Sequence, residues 1–234
     1  MNNNSIELIK KKYSLERDKL KFKAFKLMEK GVQILDPARI DIRGNLTCGE
    51  NVKIDINVIF EGDVILADGV SVGASCILND CQIGKNTNIH PYSLVDNAII
   101  GESCFVGPYG RVRPGSNIKD FVQIGNFVEI KNANIMSKCR INHLSFIGDA
   151  DLAESVTIGA GTITCNHNGI STNKTNIGDN AYVGSGSNLI APIKIGAKST
   201  IGAGSTINKN VPKGKLVIAR SKQIVIDDWQ RTKE

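Results

Sequence analysis

The apolar positions of this chain recur every six residues. Steps of six from Ile42 reach Cys48, Ile54, Phe60, Leu66, Val72 and Leu78. After one step of five the register resumes at Ile83, Ile89 and Val95, and again at Ile100, Val106, Val112, Ile118, Ile124 and Ile130. It continues through Ile135, Ile141, Ile147, Leu152 and Ile158, and returns at Ile177, Val183, Leu189, Ile195, Ile201 and Ile207. Two residues ahead of these positions the side chain is small or branched, as at Val58, Val70, Cys76, Ala98, Ser116, Val122, Ser145 and Ser187. Glycine often follows the aliphatic residue, as in Ile83-Gly84, Val106-Gly107 and Val183-Gly184.

A six-residue period fits neither the 3.6-residue stripe of a helix nor the alternation of a hairpin sheet. It predicts an all-β solenoid of short parallel strands, three hexapeptides per coil, each turning one aliphatic and one small residue inward. A coil of 18 residues climbs one strand spacing, so residues 42–207 make about nine coils, a prism on the order of 45 Å long. The period does not fix the hand of the winding. Ahead of the solenoid, Ile6, Ile9, Tyr13, Leu20, Ala24 and Leu27 recur at helical spacing, and Gly31 stands where a helix would stop. The predicted organisation is an N-terminal amphipathic helix (1–31) docked on the body, a β-helix domain (32–210) and a C-terminal tail (211–234).

Composition agrees with such a core. The chain is 41% hydrophobic with 23 glycines but only 5% aromatic, so small and β-branched side chains must fill it. No apolar run approaches the ~18 residues of a membrane span, and the polar opening is no signal peptide. A cytoplasmic protein is expected. The formal charge of +6 is concentrated: residues 1–30 hold nine Lys/Arg against four Asp/Glu, which leaves +1 for all the rest. A charge so localised reads as a solvated helix face, and neither nucleic acid nor membrane is an expected partner.

The register also sorts the cysteines. Cys76, Cys81, Cys104 and Cys139 fall on the small inward position and Cys48 on the aliphatic one, with no CxxC spacing to suggest a metal. Cys165 falls in the polar stretch 164–176, where the register breaks and a protruding loop is predicted.

Residues one coil apart become vertical neighbours. Arg113 follows Val112 and Lys131 follows Ile130, which stacks two cations. With backbones ~5 Å apart they repel by about 1–3 kcal/mol unless they splay into water or share an anion, for which phosphate is suited. Glu129 stacks on Arg111 as an expected ion pair, with Phe146 one coil above. His143 lies two residues past Ile141, outside the inward positions, and its counterpart in the next coil is Ala160 between Gly159 and Gly161. Small residues there leave room beside an imidazole, which titrates near neutrality and is a candidate general base if a carboxylate such as Glu129 orients it. A solvated surface histidine and solvated surface cations remain the plain alternatives. His90 and His167 stand 53 residues before and 24 after His143, without metal-ligand spacing, so no metal is expected.

The segments GVQILDPARIDIRG (31–44), GRVRPG (110–115), VQIGNFVEIKNA (122–133), INHLSFIGDA (141–150), VTIGAGTITCNHNG (156–169), VGSGSNLIAPIKIG (183–196), AGSTI (203–207) and IARSKQ (218–223) cover nearly the whole chain. Together they resemble the acetyltransferase half of the bacterial bifunctional enzymes that make UDP-N-acetylglucosamine, members of the hexapeptide-repeat acyltransferases. The resemblance implies a left-handed parallel β-helix, a homotrimer with sites built between neighbours, and transfer of acetyl from acetyl-CoA to the 2-amine of glucosamine 1-phosphate. No metal is implied. The nucleotidyltransferase half has no counterpart here, so uridylyl transfer is not expected unless a separate nucleotidyltransferase partners the chain.

Carried over residue by residue, the resemblance makes His143 the general base with Glu129 as its carboxylate, and Arg113 and Lys131 the holders of the sugar phosphate. Asn166 matches an amide near the acetyl donor, and Ala160, Ser185, Ala203 and Arg220 match positions lining acetyl-CoA. Four positions depart from the family pattern: Phe146 and His167 replace tyrosines, Thr157 an asparagine and Thr172 a lysine. A hydrogen bond to a charged group is worth ~1.5–3 kcal/mol, so these changes point either to weaker binding of the usual acceptor or to a different amino sugar or nucleotide amino sugar. A non-catalytic trimeric scaffold is the alternative of another kind.

Overall fold

The computed structural model describes residues 3–231, with side chains from Ser5 onward. Thirty short strands wind into a left-handed parallel β-helix with three flat faces. The first face holds eleven strands beginning at Gln33–Ile34, the second ten beginning at Asp41–Ile42, and the third nine beginning at Asn45–Cys48. The first edge lies between the first and second faces, the second edge between the second and third, and the third edge closes the prism.

Each strand pairs in parallel with the strand one coil away, and the inward residues stack in columns such as Val95, Val112, Ile130 and Ile147. The hexad residues are buried at 3% exposure or less, except Cys48, which is only partly covered. The small partners two residues earlier are buried as well, including Ser116, Ser145, Ser187, Ser199 and Ser205. Burial pushes the thiols of Cys76, Cys104 and Cys139 up to about 11 and those of Cys48 and Cys81 up to about 12, as expected for thiols used as core filler.

Three boundaries differ from the expectation. Thr164 takes the aliphatic inward position, fully buried, because its hydroxyl is satisfied by the Gly148 backbone: it donates to the carbonyl at 3.0 Å and accepts from the N–H at 2.8 Å. Cys165 therefore ends a strand, Ile163–Cys165, and Thr175 begins the next, so the loop is only residues 166–174. Secondly, the solenoid does not stop at residue 210: Val211 is buried and Leu216–Val217 pairs with Thr200–Ile201. Finally, helix α1 (Asn3–Met28) docks only by its C-terminal half. Ala24 is buried, Leu20 and Leu27 partly so, Arg17 reaches Asp41 and the Ala38 carbonyl, and Lys23 donates to the carbonyls of Ile42 and Gly44. Ile6, Ile9 and Tyr13, expected on the docked side, are exposed.

Candidate active site

The first edge presents His143. It closes the strand Arg140–His143, is exposed, and sits in register above Asn126, which closes Gln123–Asn126. Its Nδ1 meets Asn126 Oδ1 at 2.7 Å. An amide oxygen can only accept, so this contact puts a proton on Nδ1, and in the neutral ring the lone pair is then on Nε2, the tautomer a base needs.

Above His143 the edge carries almost no side chain. Ala160, Ser185 and Ala203 stack there, tied by bonds from Gly186 N to the Ala160 carbonyl and from Gly204 N to the Ser185 carbonyl, both 2.7 Å. Gly161, Gly186 and Gly204 follow them at the corner. Arg220 closes the column by donating to the Ala203 carbonyl. The result is a narrow shelf of exposed backbone with a cation at its far end.

The second face and second edge carry the other predicted residues. Arg113 lies beside Lys131 as the register requires, and each cation has its own carboxylate: Arg113 Nη1 donates to Glu129 Oε1 at 2.8 Å, and Lys131 Nζ is 3.6 Å from Asp149 Oδ2. Two expectations change here. Glu129 pairs with Arg113 and not with its register neighbour Arg111, and within one chain the partner of the His143 ring is Asn126 and not Glu129. Asp149 also accepts from Asn132 at 2.6 Å and from Asn166. Burial opposes its ionisation, but those two hydrogen bonds and the Lys131 charge outweigh it and hold the carboxyl below its ordinary value. Phe146 lies over Gly148, where an added Cβ would come within 2.5 Å of the ring and 2.9 Å of the Asn166 amide. A side chain at this position would have to push the Phe146 ring and the Asn166 amide aside.

Thr157 faces outward on the first face, paired with Arg140 and Tyr182. His167 and Thr172 bridge each other across the 166–174 loop, and His167 Nδ1 accepts from Gly169 N at 3.1 Å. A single chain therefore unites His143, Ala160, Ser185, Ala203 and Arg220 on one edge, and Arg113, Glu129, Lys131, Phe146 and Asn166 around another. Thr157 stays on a third surface. Among the described residues no three His, Cys, Asp or Glu side chains are placed to hold a metal ion.

Asn126 and Asp149 were missed, yet both lie one coil from a residue singled out by its spacing. The step from Arg113 to Lys131, taken once more, lands on Asp149; the step from His143 taken downward lands on Asn126.

Residues 174–209 match the family described as bacterial transferase hexapeptide (six repeats), and residues 42–118 match the GMPPB C-terminal domain. The class is thus a hexapeptide-repeat solenoid. More particularly, the chain is 53% identical over 217 residues to the bifunctional protein GlmU of Nitrosospira multiformis, covering 93% of this chain and 47% of that protein. It is 52% identical over 205 residues to that of Herminiimonas arsenicoxydans, covering 88% and 45%. The chain spans about half the length of the curated relatives it matches, and it is homologous to that half. Among solved structures, the acetyltransferase domain of PglB from Neisseria gonorrhoeae, in complex with acetyl coenzyme A, is 26% identical over 56% of this chain and 54% of that one, with a TM-score of 0.35. PerB from Caulobacter crescentus is 22% identical over 56% and 53%, with a TM-score of 0.40.

Proposed function

We propose that this chain is an acetyl-CoA-dependent N-acetyltransferase acting on the 2-amine of glucosamine 1-phosphate. The observation that carries it is His143, held by Asn126 in the base tautomer at the foot of a shelf stripped of side chains. Acetyl-CoA lies along Ala160, Ser185 and Ala203, with Arg220 toward its charged nucleotide end and Asn166 and His167 nearer the acetyl group. The amine lone pair attacks the thioester carbonyl, the C–N bond forms and the C–S bond breaks. The nitrogen proton passes to His143 Nε2, and the departing thiolate is protonated to the free thiol.

Arg113 and Lys131 hold the sugar phosphate, with Phe146, Thr157 and Thr172 around the acceptor. The division of these residues among separate surfaces supports a homotrimer in which neighbouring copies complete each site. Glu129 orients His143 only if it does so across such an interface. The cysteines are all free, which fits the reducing cytoplasm. Phe146 brings a bare ring where the family's hydroxyl is lost, and this favours a second reading, an acceptor other than glucosamine 1-phosphate.

The test is thiol release from acetyl-CoA with a panel of amino sugars and their phosphates. Acceptor-dependent release, highest in kcat/KM for glucosamine 1-phosphate, is expected. No release with any amino sugar overturns the enzyme reading, and a higher kcat/KM for another sugar moves the assignment to that sugar.

A further inference from the structure

The loop at 166–174 interrupts the solenoid between the strands Ile163–Cys165 and Thr175–Ile177. Its middle is exposed, and its neck is closed by a bond from Asn173 N to the Asn166 carbonyl at 2.6 Å. Both of its ends are fastened to one short run of the coil below, Asp149 to Asp151. At the entry, Asn166 Nδ2 donates to Asp149 Oδ2. At the exit, Thr175 N donates to the Asp149 carbonyl at 3.1 Å, and Lys174 Nζ lies 2.6 Å from Asp151 Oδ2.

Asp149 is in turn fastened downward. Its N–H donates to the Lys131 carbonyl at 2.9 Å, its Oδ1 accepts from Asn132 at 2.6 Å, and its Oδ2, the atom that holds Asn166, also lies 3.6 Å from Lys131 Nζ. One carboxylate oxygen therefore faces both the phosphate-holding cation and the root of the loop. The Asp149 side chain is 12% exposed against 38% for Asp151, so water competes far less for its bonds than for the screened Lys174–Asp151 pair.

We propose that Asp149 is a positioning residue for the acetyl transfer: it clamps the root of the 166–174 loop to the Lys131 coil and sets which side of the Asn166 amide faces the acetyl donor. The proposal rests on the N-acetyltransferase reading, in which Asn166 stands near the acetyl group, and gives a task to a residue that reading leaves unused. A carboxylate can only accept, so Asn166 turns its NH2 toward Asp149 and its Oδ1 away, where that oxygen has no partner among the described residues and is an acceptor for a donor N–H. An asparagine at position 149 cannot impose this choice. It presents either an oxygen or an NH2, and against the NH2 the Asn166 amide turns over.

The test is Asp149→Asn beside Asn166→Ala and the double variant, all assayed well below their thermal midpoints. Each single change should lower kcat/KM for acetyl-CoA by about tenfold or more, the weight of a hydrogen bond to a charged group. The double variant should fall no more than about twofold further, because the two residues act as one unit. KM for glucosamine 1-phosphate should stay within about threefold of wild type, since Arg113 and Lys131 both remain. Asp151→Asn, which cuts only the exposed pair, should stay within about twofold in every constant. Additive losses in the double variant overturn the proposal, as does a change confined to KM for glucosamine 1-phosphate, which would make Asp149 a partner of Lys131 alone. Equal impairment by Asp151→Asn overturns it too. Hydrogen exchange at the Asn173 amide, which closes the neck, needs no turnover and should quicken by about tenfold in Asp149→Asn. If wild type transfers no acetyl group yet exchange quickens in this way, the enzyme reading fails while the clamp stands. If transfer proceeds and exchange in Asp149→Asn matches wild type, the clamp falls by itself.

Discussion

The first edge has one backbone and two surfaces. Below the His143 coil its corner positions carry Tyr92, Tyr109 and Phe127, with Leu144 completing the ladder beside His143; above it they carry Gly161, Gly186 and Gly204. All seven have left-handed φ, between 48° and 73°. The lower residues bear the ~1–2 kcal/mol that this conformation costs a side chain, and the three rings recover part of it by stacking with centroids 5.0 and 5.1 Å apart. The glycines above are not demanded by crowding either, since an added Cβ at Gly161, Gly186 or Gly204 would find no atom of this chain nearer than 3.8 Å. Internal packing does not call for glycine there, and the left-handed conformation favours it by only the ~1–2 kcal/mol that Tyr109 and Phe127 bear on the same edge. The bare shelf makes sense as space kept for something outside the chain, and it begins at the coil that carries His143.

The largest effect is expected at that junction. His143→Ala should lower kcat by 10²–10⁴, the range for a positioned general base, with KM for acetyl-CoA little changed. Steady-state thiol release checks it, and a variant as fast as wild type would strip the junction of its chemical meaning.

Exchanging the two surfaces tests the comparison directly. Gly186→Tyr should fold, because Tyr109 already tolerates the same conformation four coils below on the same edge, at a cost of about 1–2 kcal/mol. It should raise KM for acetyl-CoA at least tenfold by filling the shelf. Tyr109→Gly should leave turnover alone and move thermal stability by no more than about 2 kcal/mol, because the loss of two ring contacts at about 0.5–1.5 kcal/mol each is offset by relief of the ~1–2 kcal/mol of left-handed strain. Equal effects of both on KM would dissolve the distinction.

How far such distinctions could be read from the chain depends on which way the side chain points. Inward positions were legible because a closed three-sided coil buries the same place of every hexad, and the apolar register from Ile42 to Ile207 states it outright. Thr164 hid a repeat because its hydroxyl mimics a loop residue until Gly148 is seen beside it. Outward positions were half legible. The step of one coil placed Arg113 beside Lys131 correctly, but long side chains reach diagonally, so Glu129 chose Arg113 over its register partner Arg111. On α1 the spacing of Ile6, Ile9 and Tyr13 stated a periodicity without stating that the solenoid ends before it can cover them.

Asn126 belongs to the lower surface yet serves the junction, which makes it a finer probe. Asn126→Ala should cut kcat about tenfold while leaving acceptor and donor KM near wild type, because it releases the ring without touching either ligand's binding surface. Asn126→Asp, which keeps an acceptor facing Nδ1, should recover most of the loss. A variant whose only change is in KM would make Asn126 a binding residue instead.

The second edge supplies the contrast in which charges are satisfied within the chain, and Asp149 gives its smallest and most local test. Its carboxyl is held below the ordinary value in the folded state, so it binds fewer protons there than in the unfolded chain. The stability it contributes is therefore fully present above the ordinary carboxylate range and disappears as pH falls through its lowered folded value. Asp149→Asn keeps the size and an oxygen for Asn132 but removes the charge that Lys131 and Asn166 face. The variant should be less stable by about 1–2 kcal/mol at pH 7, and the gap from wild type should close on acidification below about pH 4. Thermal midpoints measured from pH 7 to pH 3 check both statements. A gap that stays constant with pH would mean that Asp149 acts through shape alone, and the two edges would then differ in packing and not in where their charges are answered.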